Sequence, residues 1–516
     1  MTAEVVADSG VNVSELPARG WRAARALAPV GLGALLGAAF EPLAVPYVIP
    51  VCIAGLALTL RDITAWRAAR RATVFGIAFM LTTLAWLWPS IGMGAWLALS
   101  LVQGLWFLPL GCGLVLVRRL RAWPVWSAAL WSAVEVLRGE WPFGGFPWSR
   151  LGMAVVDTPW AQLLPLVGIG GTSLLLALLG FLLAAVLESA TLRVPSRRWA
   201  VVLAAVFALT VLPAVLAELV DRSRTVTVAI IQGGVPGDGK DLVAHHRQVT
   251  RSQQVATQLL ASRVRAGEEP APDLVIWPEN STAVDPFGDP EARNAIEASV
   301  EAIGRPILVG AMVDDADPRR VLNQGIVWDP ATGPGERYTK RHPVPFGEYI
   351  PFRSVLGRIS PRLAEIPRDM IAGGPQPPVE VAGTSVAMAI CFDVAFDDVL
   401  PEQVREGADL VVVQTSNAMF TGTAQRAQQF GISRARALET GRSVVVASTN
   451  GISGAIGPDG SVVTQSRTRG TEVLVADVPL ASGETVAVRM GPMVSGGSLL
   501  VALGAVLVGV RRCRAR

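Results

Sequence analysis

The chain has 516 residues and a net charge of +3, and 51% of its residues are hydrophobic while 17% are charged. A soluble protein carries about a quarter charged residues, so this composition argues against a purely soluble protein, and the length favours more than one domain. The small net charge gives no reason to expect nucleic acid as a partner. Four cysteines, none in a CxxC motif, and three histidines favour neither a disulfide framework nor a metal site, and no cofactor is expected.

Long apolar stretches follow a polar beginning. Residues 1–20 have no apolar core and are not typical of a signal peptide. A bilayer crossing needs about 20 apolar residues, and residues 72–117, 158–187 and 199–217 contain no charged residue. Counting the other apolar stretches as well, we predict a membrane domain with seven transmembrane helices in residues 21–220.

Arginine placement predicts how these helices are oriented, because cytoplasmic loops collect Lys and Arg. One arginine cluster precedes the first span, three lie between spans and one follows the last span: Arg19, Arg22 and Arg25; Arg61, Arg67, Arg70 and Arg71; Arg118, Arg119 and Arg121; Arg193, Arg197 and Arg198; and Arg511, Arg512, Arg514 and Arg516. All five lie on one side if the N terminus is cytoplasmic. Residues 221–488 are then outside the cytoplasm, 489–511 form an eighth span, and 512–516 are a basic cytoplasmic tail.

The predicted outer region, 221–488, alternates β-rich runs with helical stretches. Strands are predicted over TVTVAIIQG, LVIW, RPILVGAMV, TSVAMAICFD, LVVVQTS and SVVVASTN, and helices over 241–265, 292–303 and 423–440. The turn residues ATGPG predict a hairpin between NQGIVWDP and GERYTKRH. Nearly continuous Val and Ile runs indicate strands covered on both faces, so we predict a layered α/β domain.

Three reactive side chains follow strands of this region. Glu279 comes after LVIW, Lys340 follows RYT, and Cys391 ends SVAMAI. Loops at strand ends are where such folds place catalytic groups. Each residue also has an ordinary interpretation: a core thiol, a helix cap or surface ion pair, and a solvated lysine. Because the three are far apart in the sequence, only the fold could bring them together.

The segments WPEN, TKRHPVPFGEYIPFR and AICFDVAF resemble the three signature regions of the carbon–nitrogen hydrolase (nitrilase) superfamily. Combined with the N-terminal spans and one closing span, they resemble a single family, the apolipoprotein N-acyltransferases, from Trp21 to Val510. The segments FPWSRLG and TSNAMF are also similar to that family. The resemblance implies a polytopic α-helical membrane domain, with about eight transmembrane helices in all, plus a nitrilase-like αββα sandwich. It also implies a multi-pass location in the bacterial cell membrane.

The resemblance implies roles for particular residues. Glu279 would be the general base, Lys340 an electrostatic helper, Cys391 the nucleophile and Glu348 a residue that orients them. A carboxylate can accept the proton of a thiol and a nearby ammonium favours the thiolate, which is the form that attacks esters.

Two residues after the cysteine complete the expected site. The backbone N–H of Phe392 is expected to help Lys340 hold the oxyanion, and Asp393 is expected to support the site. Phe392 and Asp393 stand where the family often has Tyr and Glu, so a hydroxyl is absent and the carboxylate is shorter.

The implied reaction transfers an acyl chain from a membrane phospholipid, through a thioester, to the free amine of diacylglyceryl-cysteine in an apolipoprotein, the last step of lipoprotein maturation. Membrane spans suit this reaction because both substrates are anchored in the bilayer. A membrane-tethered amidase that hydrolyses a carbon–nitrogen bond is the alternative enzyme, and a non-catalytic scaffold is a third interpretation. Nothing in the sequence suggests a dedicated interface, so a monomer is expected.

Three further features have competing interpretations. His342, close to Lys340, suggests a Cys–His dyad, but the surrounding segment favours the lysine. Glu135 and Arg138 on the fifth span are either a structural ion pair or a contact to lipid head groups. Five tryptophans are expected in interfacial belts: Trp86, Trp88, Trp141, Trp148 and Trp160.

Overall fold

The structure, a computed structural model, describes residues 16–191, 197–211, 221–236, 245–356, 366–467 and 470–514. The chain begins with a bundle of helices: α1 (Leu16–Gly37), α2 (Val48–Thr59), α3 (Ala65–Thr83), α4 (Leu87–Ser90), α5 (Met93–Leu105), α6 (Phe107–Val117), α7 (Trp123–Glu140), α8 (Leu164–Thr191) and α9 (Arg197–Val211). The short α4 lies between α3 and α5. α5 and α6 are continuous except at Trp106.

Within the described residues, three helical segments are long and apolar enough to cross a membrane: Met93–Val117, Pro159–Thr191 and Val486–Arg514. Ala26–Gly37 and Val48–Thr59 are shorter apolar helices. A helix lies in each predicted span as far as the described residues reach, and 212–217 of the stretch 199–217 lie outside them. The total of eight crossings stays a prediction.

Glycines let the helices of this bundle approach closely. A Cβ atom on Gly33 of α1 would lie 2.1 Å from the carbonyl oxygen of Phe75, and one on Gly111 of α6 would lie 2.6 Å from that of Ala68. Both carbonyls belong to α3, so α1 and α6 pack against α3 at backbone distance. Small residues at helix contacts are the usual means of packing helices within a membrane.

The rest of the chain forms an α/β domain and a final helix. Its elements are β1 (Asp221–Gln232), α10 (His246–Arg265), β2 (Leu274–Ile276), α11 (Pro290–Ile303), β3 (Ile307–Asp314), β4 (Arg320–Asp329), β5 (Gly333–Thr339), α12 (Arg353–Leu356), β6 (Asp369–Met370), β7 (Val379–Val381), β8 (Thr384–Ile390), α13 (Leu400–Arg405), β9 (Leu410–Thr415), α14 (Gln425–Thr440), β10 (Val444–Ser448), β11 (Gly454–Ile456), β12 (Val462–Gln465), β13 (Glu472–Ser482) and α15 (Val486–Arg514). The predicted helix over 241–265 begins at His246, and its residues 241–244 lie outside the described ranges. The predicted hairpin is β4–β5, paired antiparallel.

The strands form two sheets with the same arrangement of parallel and antiparallel pairs. The first has the order β13-β1-β2-β3-β4-β5, with β6 beside β4, and the second has the order β12-β11-β10-β9-β8-β7. Parallel pairs occupy the centre of each sheet: β1–β2 and β2–β3 in the first, and β8–β9 and β9–β10 in the second. β13 is absent from the sequence-based prediction. It pairs antiparallel with β1 and so leads the chain from the sheet into α15.

The two sheets face each other at the centre of the domain. The side-chain amide of Gln414 in β9 donates to the backbone oxygens of Trp277, 2.7 Å away, and Leu308, 3.2 Å away, on the opposite sheet. Leu260 of α10 and Ile296 of α11 pack against the outer face of the first sheet, and α13 and α14 contact the second sheet. The layers are therefore α–β–β–α, which is the sandwich that the family resemblance implies.

The belt prediction is wrong for three of the five tryptophans. Trp86, Trp148 and Trp160 are at most 8% exposed, because they lie between the helical bundle and the α/β domain or within the bundle. The indole N–H groups of Trp86 and Trp148 both donate to the side-chain oxygen of Gln428 on α14, at 3.0 and 2.7 Å. These two indoles thus hold the α/β domain on the bundle.

Candidate active site

The predicted reactive residues follow strands of both sheets. Glu279 comes three residues after β2 and Lys340 directly follows β5 in the first sheet, while Cys391 directly follows β8 in the second. Cys391 begins the 3-10 turn Cys391–Ala395 and has φ of +53°. That left-handed conformation costs a non-glycine residue about 1–2 kcal/mol, so the surrounding contacts must hold it.

A buried ion cluster lies between the sheets. The Lys340 ammonium is fully buried and lies 3.1 Å from Glu279 Oε1 and 2.5 Å from Glu348 Oε1. Burial lowers the pKa of Lys340, but the two carboxylates outweigh burial and raise it well above its usual value. The pKa of Glu348 is raised, mainly by its own burial, against the opposing effect of Lys340. Lys340 is therefore charged at neutral pH and is held between two acids.

Glu279 accepts hydrogen bonds on both oxygens. Asn323 Nδ2 donates to Oε1 at 2.8 Å, beside Lys340, and the backbone N–H of Ser416 donates to Oε2 at 2.8 Å. Asn323 lies on β4 and Ser416 follows β9, so the carboxylate is fixed by both sheets. Sequence reasoning missed Asn323, although an Asn between the apolar residues of VL and the run GIVW is a signal that could have identified a buried polar side chain.

Cys391, a partly exposed residue, lies beside this cluster. Burial is the main factor that raises its pKa, to about 12; the charges of Glu279 and Glu348 add to the rise, and Lys340 and Thr415 oppose it. The sulfur is thus a thiol at neutral pH, and a base must take its proton before it can attack an ester. The structure brings all four predicted residues, Glu279, Lys340, Glu348 and Cys391, into one site.

Asp393 connects the turn that begins at Cys391 to the segment around Lys340 by hydrogen bonds. Its carboxylate is fully buried and accepts from Tyr338 OH at 2.9 Å, the N–H of His342 at 2.8 Å and the N–H of Arg341 at 3.3 Å. Burial is the main factor that raises the pKa of Asp393. The shorter carboxylate therefore links the turn that begins at Cys391 to the residues on either side of Lys340, and the supporting role of Asp393 stays a prediction.

Phe392 packs its ring against the helical domain. It stacks on Phe146 and Trp148, with centroids 5.7 and 6.3 Å apart, and meets Phe396 edge-on at 5.0 Å. Phe146 and Trp148 belong to the segment FPWSRLG between α7 and α8. The residue after the cysteine thus closes one side of the site with aromatic surface from the other domain. The oxyanion role of its backbone N–H stays a prediction.

His342 does not pair with the cysteine. Its Nε2 lies 2.9 Å from Asp398 Oδ1, and its ring stacks on Phe396 with a centroid distance of 3.7 Å. The imidazole is thus engaged by Asp398, which leaves no support for the Cys–His dyad.

Glu135 and Arg138 do not form the structural ion pair considered from the sequence. Arg138 donates to the backbone oxygens of Phe146 and Trp148 at 3.1 and 2.7 Å. Glu135 Oε1 accepts from Trp131 Nε1 and the N–H of Leu151, both at 3.1 Å. Both side chains are buried, and they hold the loop after α7. The interpretation as head-group contacts stays a prediction.

No cluster of three or more metal-binding side chains occurs among the residues that the structure describes. Lys340 lies between Glu279 and Glu348, so these two carboxylates share one ammonium as their partner.

Alkylation of Cys391 should report its raised pKa. We expect slow reaction with iodoacetamide near neutral pH, and a rate that keeps rising above pH 9 without levelling, because the pKa is raised to about 12. The unfolded chain should level off above its ordinary thiol pKa of about 8.5. Site-resolved mass spectrometry across a pH series separates Cys391 from Cys52, Cys112 and Cys513. A plateau below about pH 9 in the folded protein would contradict the burial of the thiolate form.

Two facing sheets covered by helices, with an acid, an ammonium and a thiol at their strand ends, define the class of carbon–nitrogen hydrolases. The sequence model for that class, "Carbon-nitrogen hydrolase", matches residues 227–487, and the model "Apolipoprotein N-acyltransferase N-terminal domain" matches residues 32–182. The chain therefore belongs to the apolipoprotein N-acyltransferase family.

Individual relatives match along nearly the whole chain. It is 33% identical to the apolipoprotein N-acyltransferase of Mycolicibacterium smegmatis, across 95% of this chain and 86% of that protein. It is 31% identical to the protein of the same name from Ralstonia nicotianae, across 94% of each. For the protein of that name from Photobacterium profundum the identity is 28%, across 90% of this chain and 91% of the relative. Both domains are thus shared with these relatives.

Proposed function

We propose that the protein transfers an acyl chain from a membrane phospholipid to the free N-terminal amine of diacylglyceryl-cysteine in apolipoproteins. The observation that carries this proposal is the buried cluster of Glu279, Lys340 and Glu348 beside Cys391, in a domain docked on apolar helices. Family membership favours this reaction over the amidase alternative.

The first half-reaction forms a thioester. Glu279 takes the proton of the Cys391 thiol as the sulfur attacks the ester carbonyl of the phospholipid. Lys340 stabilises the negative charge that develops on the carbonyl oxygen, with the N–H of Phe392 as a second donor. The carbon–oxygen bond then breaks, and Glu279 returns its proton to the departing alkoxide. A lysophospholipid leaves and the acyl chain stays on the sulfur.

The second half-reaction forms the amide. The neutral amine of diacylglyceryl-cysteine attacks the thioester, and Glu279 accepts a proton from the nitrogen. The carbon–sulfur bond breaks and the proton returns to the thiolate, which regenerates the enzyme. Water must be kept away meanwhile, and the stacked rings of Phe146, Trp148 and Phe392 cover one side of the site with apolar surface.

We further propose that eight helices cross the membrane, with both termini cytoplasmic and the α/β domain, residues 221–488, outside. Contacts between the arginine clusters support this orientation. Arg61 and Arg118 both pair with Glu188 near the end of α8, at 3.2 and 2.6 Å, and Arg119 lies 3.3 Å from Cys513 Sγ at the end of α15. The clusters that follow α2 and α6 and the cluster at the end of α15 therefore meet at one end of the bundle, as the positive-inside rule requires.

Mass spectrometry of the acyl-enzyme tests the function. After exposure to phospholipid vesicles, the purified protein should gain the mass of one acyl chain at Cys391. A diacylglyceryl-cysteine peptide should then remove it and become N-acylated. Cys391→Ser should neither retain a thioester nor transfer the chain at the normal rate. Normal transfer by that variant would refute the proposal, and release of free fatty acid at a rate independent of the peptide would favour a hydrolase.

A further inference from the structure

The turn that begins at Cys391 is also held by a buried arginine of α14. Arg436 of α14 is fully buried, and its guanidinium donates to the backbone oxygens of Val394 at 2.9 Å and Ala395 at 3.0 Å. Both oxygens belong to the 3-10 turn that begins at Cys391. Since Cys391 has a left-handed backbone, the turn depends on such contacts to keep its shape.

The same arginine is linked to the helical domain through two acids. Arg436 donates to Asp397 Oδ1 at 2.9 Å, and the other oxygen of Asp397 accepts from Arg150 Nη1 at 2.6 Å. Arg150 is buried and lies in the segment FPWSRLG between α7 and α8. The carboxylate just beyond the cysteine turn is therefore shared between an arginine of its own domain and an arginine of the helical domain.

A second link runs through Glu439. Its Oε2 pairs with Arg436, and its Oε1 accepts from the N–H of Ile169 at 2.8 Å. Ile169 follows Gly168, where φ of +68° interrupts α8. The carboxylate thus binds the free N–H at the start of the second part of α8, where a negative charge is favoured. A Cβ on Gly168 would lie 2.7 Å from Glu439 Oε1, so this close approach requires glycine.

We propose that Arg150, Asp397, Arg436 and Glu439, together the junction array, position the Cys391 turn relative to the helical domain so that the thiol meets an ester carbonyl presented from the bilayer. The inference rests on the proposed function, because it assigns the array no role apart from acylation of Cys391. Its members are positioning residues. Burial opposes the charge of Asp397, but Arg150 and Arg436 lower the pKa of that carboxyl well below its usual value, so Asp397 stays charged at neutral pH.

A second ion pair between the same two domains supplies a matched control. Arg434, two residues before Arg436 on α14, donates to both oxygens of Asp157 at 2.8 and 2.7 Å. Asp157 lies in the same connection between α7 and α8 as Arg150, and its side chain is 72% exposed. No hydrogen bond of this pair reaches the cysteine turn in the described residues. Asp157→Asn therefore breaks an interdomain ion pair without releasing Cys391.

The test compares Asp397→Asn with Asp157→Asn in the full-length protein reconstituted with phospholipid. Two rates are measured at Cys391: acylation by phospholipid and alkylation by iodoacetamide, a small soluble electrophile. Asp397→Asn should slow acylation by about 10- to 100-fold, as a small misplacement of reacting groups does, while alkylation changes less than about twofold. Asp157→Asn should leave both rates near wild type. Alkylation also serves as the check that the site has folded.

A double variant tests whether the array acts as one unit. Arg150→Gln should slow acylation like Asp397→Asn, and the two together should be no slower than either alone, because coupled residues are not additive. Equal acylation by Asp397→Asn and Asp157→Asn would overturn the inference, as would equal losses of acylation and alkylation in Asp397→Asn. If the wild-type protein formed no acyl-enzyme at all, the proposed function itself would have failed.

Discussion

Glu279→Gln is expected to lower the rate of Cys391 acylation by about 10²- to 10⁴-fold, the usual contribution of a general base. With a pKa raised to about 12, the thiol does not ionise by itself at neutral pH. The amide has no carboxylate to accept the proton. It also places an NH₂ group where the wild-type oxygens accept from Asn323, Lys340 and Ser416. A donor therefore faces a donor, and a loss of about 1–3 kcal/mol in stability should accompany the loss of rate.

Two further variants make this comparison specific. Glu348→Gln should slow acylation less, because Glu348 touches Lys340 and its expected role is to orient the cluster. Glu297→Gln removes a carboxylate from an exposed pair with Arg293 in the same domain and should change stability by less than about 0.5 kcal/mol. Single-turnover acylation and thermal unfolding give both quantities. Wild-type rates in Glu279→Gln would remove Glu279 from the chemistry.

The individual strand ends could be predicted from the sequence, but the contact between their reactive side chains in the folded protein could not. LVIW and SVAMAI are short apolar runs, and a polar or reactive residue after each is visible in the sequence. The pairing order, however, puts Glu279 and Lys340 on one sheet and Cys391 on the other. Their contact depends on how two sheets face each other, which Gln414 fixes through bonds to Trp277 and Leu308. Local patterns carry no information on that contact, and the family resemblance supplied it.

The errors in the sequence interpretation occur where the two domains meet. A tryptophan in an apolar stretch is as compatible with an interfacial belt as with a contact between domains. For Trp86 and Trp148, only the position of Gln428 on α14 distinguishes these two possibilities. The i, i+3 spacing of Glu135 and Arg138 likewise permits a direct pair. Each instead binds backbone groups of the loop after α7, because buried N–H and C=O groups need partners as much as charges do.

Lys340→Met should abolish acylation and also destabilise the protein. Lys340 is fully buried, and its removal leaves the carboxylates of Glu279 and Glu348 together without the ammonium between them. Breaking a buried ion pair by removing one partner costs about 3–5 kcal/mol, although methionine fills a similar volume. Thermal unfolding of the variant in the same lipid should show a markedly lower midpoint, and the acyl-enzyme should be absent.

The pH dependence and a second substitution identify the cause of that loss. Burial and the charge of Glu279 raise the pKa of Glu348, and without Lys340 nothing in the pair opposes them, so the folded variant binds a proton at Glu348 more tightly than the unfolded chain. Its stability should therefore increase as the pH falls from about 8 to about 5. Lys340→Met combined with Glu348→Gln removes one of the two unpaired charges and should recover much of the stability while remaining inactive. A Lys340→Met protein as stable as wild type at every pH would show that no buried ion cluster exists, whereas an active one would show that the ammonium has no part in acylation.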